Sequence, residues 1–286
     1  MPQRHILNHT ALANAGKVIQ HHRLLCTRIA ICDPTIIYVQ HGQKILRWQG
    51  KETLIPAGKI VLLVGGQTFD VLNEPCPQVG YYAAHWLAIE QTVINQFTEQ
   101  FGLVHSVKDV QILTPHYHLA LCFDRLQQAI SLPDLPSVIL QLKLFELLAW
   151  LKNEQIGFAP YKKQHVVHQI RKLIAAHANF DWKAKHIAEH LGLSETSLRR
   201  ALAQEHTSFR QLLGDVRMSR ALTLLQITEW SISHIAYEVG YNSPSRFTVR
   251  FKERFGFLPS DVRERFSQRI QNEQQKLINV GLQSPL

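Results

Sequence analysis

Two segments of the chain set arginine beside short hydroxyl side chains at helical spacing: ETSLRRAL, Glu195 to Leu202, and PSRFTVRF, Pro244 to Phe251. Read as helices, each turns one apolar pair inward at i and i+4, Leu198 with Leu202 and Phe247 with Phe251. The outward face of the first then carries Thr196, Ser197, Arg199 and Arg200. That of the second carries Ser245, Arg246, Thr248 and Val249. An arginine so placed can donate two hydrogen bonds to guanine O6 and N7, and each such pair contributes about 1–3 kcal/mol of discrimination between bases. The chemistry these residues suit is the reading of base edges in a major groove.

The elements that would hold them in place form an internal repeat. IAEHLGL, Ile187 to Leu193, returns 48 residues later as IAYEVGY, Ile235 to Tyr241. In each copy Ile, Ala and a later aliphatic residue share one helical face. Glycine (Gly192, Gly240) then ends the helix in the conformation it tolerates best. An apolar residue (Leu193, Tyr241) anchors the turn, and serine (Ser194, Ser243) caps the next helix. Pro244 follows its cap at the first helical position, where its missing N–H is not needed. The pattern predicts two helix-turn-helix units. Between them SFRQLLGDVRMSRALTLLQ, Ser208 to Gln226, carries a continuous apolar stripe. A helix of that length spans about 28 Å, whereas successive major-groove faces lie about 34 Å apart. Either the DNA bends toward the protein, at on the order of 1–6 kcal/mol, or only one unit docks fully.

Charge supports the same partner. The formal net charge is +9, and His165 to Ile270 holds a surplus of six Lys/Arg over Asp/Glu against three in residues 1–164. A basic C-terminal third favours a polyanion, nucleic acid first. Catalytic chemistry finds no support: there is no GxSxG, HExxH, phosphate-binding glycine loop or CxxC. His116-x-His118 would share one face of a strand but lacks further ligands at a useful spacing, and His165-x-x-His168 reads as solvated, so neither a metal nor a cofactor is expected. The four cysteines, Cys26, Cys32, Cys76 and Cys122, read as reduced packing thiols of a cytoplasmic protein. The polar N-terminal stretch implies no export, and the aliphatic run Ile60 to Val64 is too short to span a bilayer.

The first half reads differently. TIIYVQ, KILRWQ, TLIP, KIVLLV, TFDVL and YYAAHWLAI, between Arg23 and Ile89, are strand-like and separated by Gly- and Pro-bearing turns, as in a barrel or sandwich. A helical pattern begins near Glu90, and another runs from Ser137 to Asn153 with Leu140, Leu144, Leu147, Leu148 and Leu151 at helical spacing. Apolar residues wrap well beyond one stripe of the latter, predicting contact both with the barrel and with a second copy of the chain. Glu154 to Gln164 reads as the boundary. The expected fold is α+β: residues 1–160 a cupin-like regulatory and dimerisation barrel with flanking helices, 165–270 an all-α domain with two helix-turn-helix units, and 271–286 a polar tail.

The stretch from about His168 to Arg263 resembles the AraC/XylS-type DNA-binding domain. IAEHLGLSETSLRRAL, RMSRALTLL and SISHIAYEVGYNSPSRFTVRFKERFGFLPSDVR carry the resemblance. Gly240, Phe247, Phe251-Lys252, Phe255-Gly256 and Pro259-Ser260 fall where the family has them. KETLIPAGKIVLLVGGQTF resembles the strand-turn-strand of the family's cupin-like barrel, and LKLFELLAWL its subunit-pairing helix. The resemblance implies base contacts by Thr196, Arg199 and Arg200 and by Ser245, Arg246 and Val249. Val249 stands where the family often has arginine and would instead meet a thymine methyl. Arg250, Lys252 and Arg254 would meet phosphates, which position without specifying. The partners implied are double-stranded DNA, a second copy of the chain, RNA polymerase, and either a small-molecule effector or a regulatory protein. The implied output is transcription activation. The alkyl-transfer repair enzymes that share this domain have a cysteine cluster with no counterpart here.

Overall fold

In the computed structural model the described residues are 7–9, 12–132, 134–160 and 166–262. The first half opens with β1 (Leu7–His9), β2 (Ala13–Gln20), β3 (Leu24–Ile31), β4 (Thr35–His41), β5 (Gln43–Trp48) and β6 (Lys51–Pro56). β7 (Ile60–Leu63), β8 (Gln67–Glu74) and β9 (Tyr82–Ile89) complete the run of strands. Then come α1 (Gln91–Phe101), β10 (His105–Ser106), β11 (Val110–Leu113), α2 (Tyr117–Ile130), α3 (Ser137–Asn153) and β12 (Ile156–Gly157). The antiparallel order β1-β2-β9-β4-β7-β11 forms one sheet and β3-β8-β5-β6 another, while β10 and β12 pair in parallel. The fold is thus α+β, as expected. All six strand-like segments are strands (β4 to β9), and β1, β2, β3, β10, β11, β12 and α2 are additional.

The larger sheet is covered on both faces, which explains its aliphatic runs. In β7, Ile60 and Leu62 face a core shared with α1, α2 and α3, and Val61 and Leu63 face the smaller sheet. β4 alternates likewise, with Ile36 on one side and Ile37 and Val39 on the other. Phe69, Tyr82, Leu46 and Ile55 fill the space between the sheets. One charge lies there. Lys44 is buried, donates to Asn73 Oδ1 at 2.7 Å and lies 5.3 Å from the Tyr82 ring centre. Burial draws its pKa down to about 8, with the nearby Cys26 opposing the shift.

Leu140, Leu144, Leu147, Leu148 and Leu151 all belong to the core between α3 and the larger sheet, at 0–4% exposure. They are therefore unavailable to a second copy, which corrects the expected dimer seam. The large apolar residues α3 leaves at the surface are Val138, Ile139 and Leu142.

The second half is helical: α4 (Val166–Ala176), α5 (Ala184–His190), α6 (Glu195–Gln204), α7 (Phe209–Ile227), α8 (Ile232–Glu238) and α9 (Pro244–Phe255). The polar tail, 271–286, lies outside the described residues. So does His165, whereas His168 is buried in α4 rather than solvated. β3, the edge of the smaller sheet, docks against this half. Its ladder with β8 shifts between Cys26 and Ile29, where Arg28 has φ 52°. Cys26 and Ile29 enter the core of the second helical unit, and Ala30 packs against that of the first. Burial pushes the Cys26 thiol up to about 12, consistent with a packing role.

Asp215, on α7, pins this junction. Arg28 Nη2 lies 2.5 Å and Arg254 Nη2 3.0 Å from its Oδ1. Arg254 also donates to the Arg28 carbonyl at 2.7 Å, Thr27 Oγ1 donates to the Arg254 carbonyl at 3.0 Å, and Ala30 N–H donates to Ser219 Oγ at 2.9 Å. Lys172, on α4, adds a second bridge to Glu90 (2.6 Å) and Asp33 (3.3 Å), and Arg171 donates to the Gly66 carbonyl.

Asp215→Ala is expected to lower the stability of the full chain by about 3 kcal/mol in urea unfolding, because it leaves the largely buried Arg254 without its counter-charge. A second expectation concerns Lys44. Its folded pKa lies below its unfolded one, so the fold carries a penalty at pH below 8 that is lost as pH rises toward 10.5. Wild-type stability should therefore rise relative to that of Lys44→Met between pH 8 and about 10, measured by unfolding at each pH.

Candidate nucleic-acid interface

The two units repeat in geometry as well as in sequence. In the first, α5 ends at a turn where Gly192 has φ 65° and Leu193 N–H returns to the Ala188 carbonyl at 2.8 Å. In the second, α8 ends where Gly240 has φ 82° and Tyr241 N–H returns to the Ala236 carbonyl at 2.9 Å. This six-to-one bond is the Schellman closure, which requires the left-handed residue that glycine supplies. Ala188 and Ala236 are both buried, so the following helix approaches closely. Ser194 then accepts from Ser197 N–H at 3.0 Å and Ser243 from Arg246 N–H at 3.4 Å, opening α6 and α9.

Each of these helices is held by its inner face. Leu198 and Leu202 join Ile170, Ile174, Ile187 and Leu212 in the core of the first unit. Phe247, Phe251 and Phe255 pack in sequence in the second, tilted or edge-on, with ring centres 5.6 and 4.7 Å apart, and Tyr241 meets Phe247 at 5.6 Å. The opposite faces are exposed. Thr196, Ser197, Arg199 and Arg200 of α6 stand in solvent, as do Ser245, Arg246, Val249, Arg250 and Lys252 of α9. Ser243 and Thr248 are half-buried. The Ser197 hydroxyl is engaged by that of Ser194 at 2.9 Å, and Arg250 pairs with Glu253 at 2.8 Å, both at the surface.

Arg254 departs from expectation. It faces Asp215 and the β3 backbone, with its side chain 13% exposed, and belongs to the junction between the two halves rather than to a phosphate-facing surface. Its sequence neighbours gave no sign of this, because the partners lie 226 and 39 residues away.

His116 and His118 are not strand neighbours. His116 precedes α2, where its Nδ1 accepts from Leu119 N–H at 3.3 Å and its Nε2 lies 3.3 Å from Glu154 Oε1. His118 stacks on Trp150 with ring centres 5.7 Å apart. Among the described residues no group of three or more His, Cys, Asp or Glu is disposed to hold a metal ion. Nor is any described helix long and apolar enough to cross a membrane.

Linking the units, α7 is a 19-residue helix capped by Ser208, which accepts from Gln211 N–H at 3.2 Å. Two of its three arginines reach sideways. Arg217 Nε donates to the Ala178 carbonyl at 3.0 Å and its Nη2 to the Phe180 carbonyl at 2.8 Å. Arg220 Nη1 donates to the Ala175 carbonyl at 2.7 Å, and its Nη2 lies 3.3 Å from Glu238 Oε1. The sequence marks RMSRALTLL within this linking helix, but nothing in its spacing announces the partners of Arg217 and Arg220.

Comparison with known proteins agrees with this geometry. The model of a family described as "Helix-turn-helix domain" matches residues 187–265. The HTH-type transcriptional regulator GadX of Escherichia coli K12 is 39% identical over 92 residues, which cover 32% of this chain and 34% of GadX. The regulator YdeO of the same organism is 36% identical over 98 residues, 34% of this chain and 38% of YdeO. The chain thus spans about a third of the length of the curated relatives it matches. Over the whole fold it is similar to an apo ToxT variant from Vibrio cholerae, with a TM-score of 0.67 at 16% identity, covering 87% of this chain and 96% of that one. ToxT with an unsaturated fatty acid bound superposes with a TM-score of 0.64 at 17% identity, covering 89% and 95%. Residues 187–265 thus match a helix-turn-helix domain, carried by a chain whose α+β fold is similar to that of ToxT.

Proposed function

We propose that the protein is a sequence-specific DNA-binding transcription activator that works in the cytoplasm. It would read adjacent major grooves with its two helix-turn-helix units, with Thr196, Arg199 and Arg200 contacting bases from α6 and Ser245, Arg246 and Val249 from α9. Arg250 and Lys252 would hold phosphates. One observation carries the reading: a duplicated helix pair, its second helix capped by serine each time, buries its apolar face and leaves arginine and hydroxyl groups at the surface in both copies. The regulators GadX and YdeO, similar over this domain, support it. Nothing in the site suits turnover of a substrate, and we read the chain as a regulator rather than an enzyme. Pairing of two copies would use Val138, Ile139 and Leu142 of α3, the large apolar residues that helix leaves uncovered. Activation would bring RNA polymerase into contact with the bound protein.

The N-terminal domain would receive the signal. Buried Lys44 supplies a positive charge between the sheets with an amide and an aromatic ring as its neighbours. An anionic amphiphile would find its counter-charge there, and ToxT has been solved with an unsaturated fatty acid bound. Such a ligand must open its own space, since the interior between the sheets is filled by Phe69, Tyr82 and the aliphatic residues around them. That packing also favours a second reading, in which a regulatory protein docks on the domain surface instead. The full chain titrated with a long-chain fatty acid discriminates: a saturable rise in melting temperature, absent in Lys44→Met, supports the ligand, and no shift supports the protein partner.

Binding-site selection from a random DNA pool with the full chain tests the main reading, and failure to enrich any sequence rejects it. On the selected site, Arg200→Ala should weaken binding by about 1–3 kcal/mol while sparing nonspecific DNA. Lys252→Ala should weaken binding on all sequences alike and reduce the slope of log K against log salt by about 1.

A further inference from the structure

The two repeats share a turn but not its surroundings. A Cβ added at Gly192 would meet nothing within 4 Å, whereas one at Gly240 would come within 3.0 Å of the Arg217 guanidinium and of the Ala178 carbonyl. The second glycine is therefore needed twice, for its backbone angle and for the space it leaves. What fills that space is the segment joining α4 to α5, pressed against the turn of the second unit by Arg217.

Arg217 and Arg220 stand one helical turn apart on α7, and each bridges both units. On one side they hold the carbonyls of Ala175, Ala178 and Phe180, at the end of α4 and just beyond it. α4 is part of the first unit's core, where Ile170 and Ile174 pack with Leu198 and Leu202 of α6. On the other side Arg217 covers Gly240 and Arg220 pairs with Glu238, both in the second unit. α7 packs into the core of each unit, but apolar contacts carry no direction and leave each unit some freedom to pivot. Two planar guanidinium forks, each with five donors, remove that freedom.

We propose that Arg217 and Arg220 are positioning residues that lock the second reading helix in orientation against the first, and so set the half-site separation this protein accepts. The proposal rests on the reading that both units engage DNA.

The test uses the full chain as wild type, Arg217→Met, Arg217→Lys and Arg217→Met/Arg220→Met. Duplexes carry the two half-sites from the selection at their native separation, at one and two base pairs more or less, or as a single half-site. Wild type is expected to lose roughly tenfold in affinity for a one-base-pair change in separation. Arg217→Met should flatten that preference to about threefold or less while keeping single-half-site affinity, with Arg217→Lys recovering part of it. Gly240→Ala should flatten it likewise and Gly192→Ala should not, although both strain a left-handed backbone. An Arg217→Met protein with the wild-type spacing preference, or one that loses single-half-site affinity equally, overturns the proposal.

A second readout needs no DNA. Spin labels at Gln204→Cys on α6 and Tyr237→Cys on α8, in a Cys32→Ser/Cys76→Ser background, report the distribution of distances between the units. It should be narrow with both arginines and broad in the double methionine variant, and an unchanged width overturns the proposal. Failure of the wild type to select any DNA site would instead reject the DNA-reading function, while the spin-label result still judges the lock.

Discussion

A carboxylate buried midway along the longest described helix holds the two halves of this protein together. Asp215 receives guanidinium groups from residues 28 and 254, one from the edge strand β3 and one from the end of α9. An unpaired charge at that depth is costly, so each partner is needed for the burial of the others. The ladder irregularity coincides with this contact: Arg28 has a positive φ, its guanidinium reaches Asp215, and its N–H is taken by Asp70 at 2.6 Å. The docking of the barrel, the pose of α7 and the end of α9 all rest on this one arrangement.

The helical half has a layered logic. Apolar pairs at i and i+4 build two small cores, left-handed glycines turn the chain, and serine caps start the outward helices. Arginine then serves three separate ends on neighbouring elements. Arg199, Arg200 and Arg246 are left in solvent, Arg217 and Arg220 join the units, and Arg254 joins the domains. The side chain is the same in each case. What differs is whether backbone carbonyls, a carboxylate or water surround it.

That difference marks where reading the sequence stopped. The glycine-centred echo, the caps, the linker helix and the six strand-like segments are all local signals and all appear in the fold. Ser137–Asn153 was legible as a helix to the residue, but its partner was not. An apolar surface wider than one stripe suits a thick sheet as well as a second subunit, and the five leucines went to the sheet. β2 (ANAGKVIQ) was hidden by small and polar residues, because its neighbour β9 fills the space and Gly16 lies against Trp86. α2 was obscured by histidines at its start, one of which acts as its cap. Arg254 and Arg217 bind groups far away in the chain, and no spacing rule announces such partners.

β3 completes the interior of both helical units while forming the outer strand of a sheet. Along it, Ala30 N–H is met by a serine hydroxyl of α7 rather than by another strand. Parting the halves would thus do more than free a DNA-binding module. It would open hollows where Cys26, Ile29 and Ala30 had been, and bare a row of peptide groups able to recruit a strand from another molecule. In the docked arrangement that edge lies against α7 and α9, and the same contacts that complete the helical cores keep it covered.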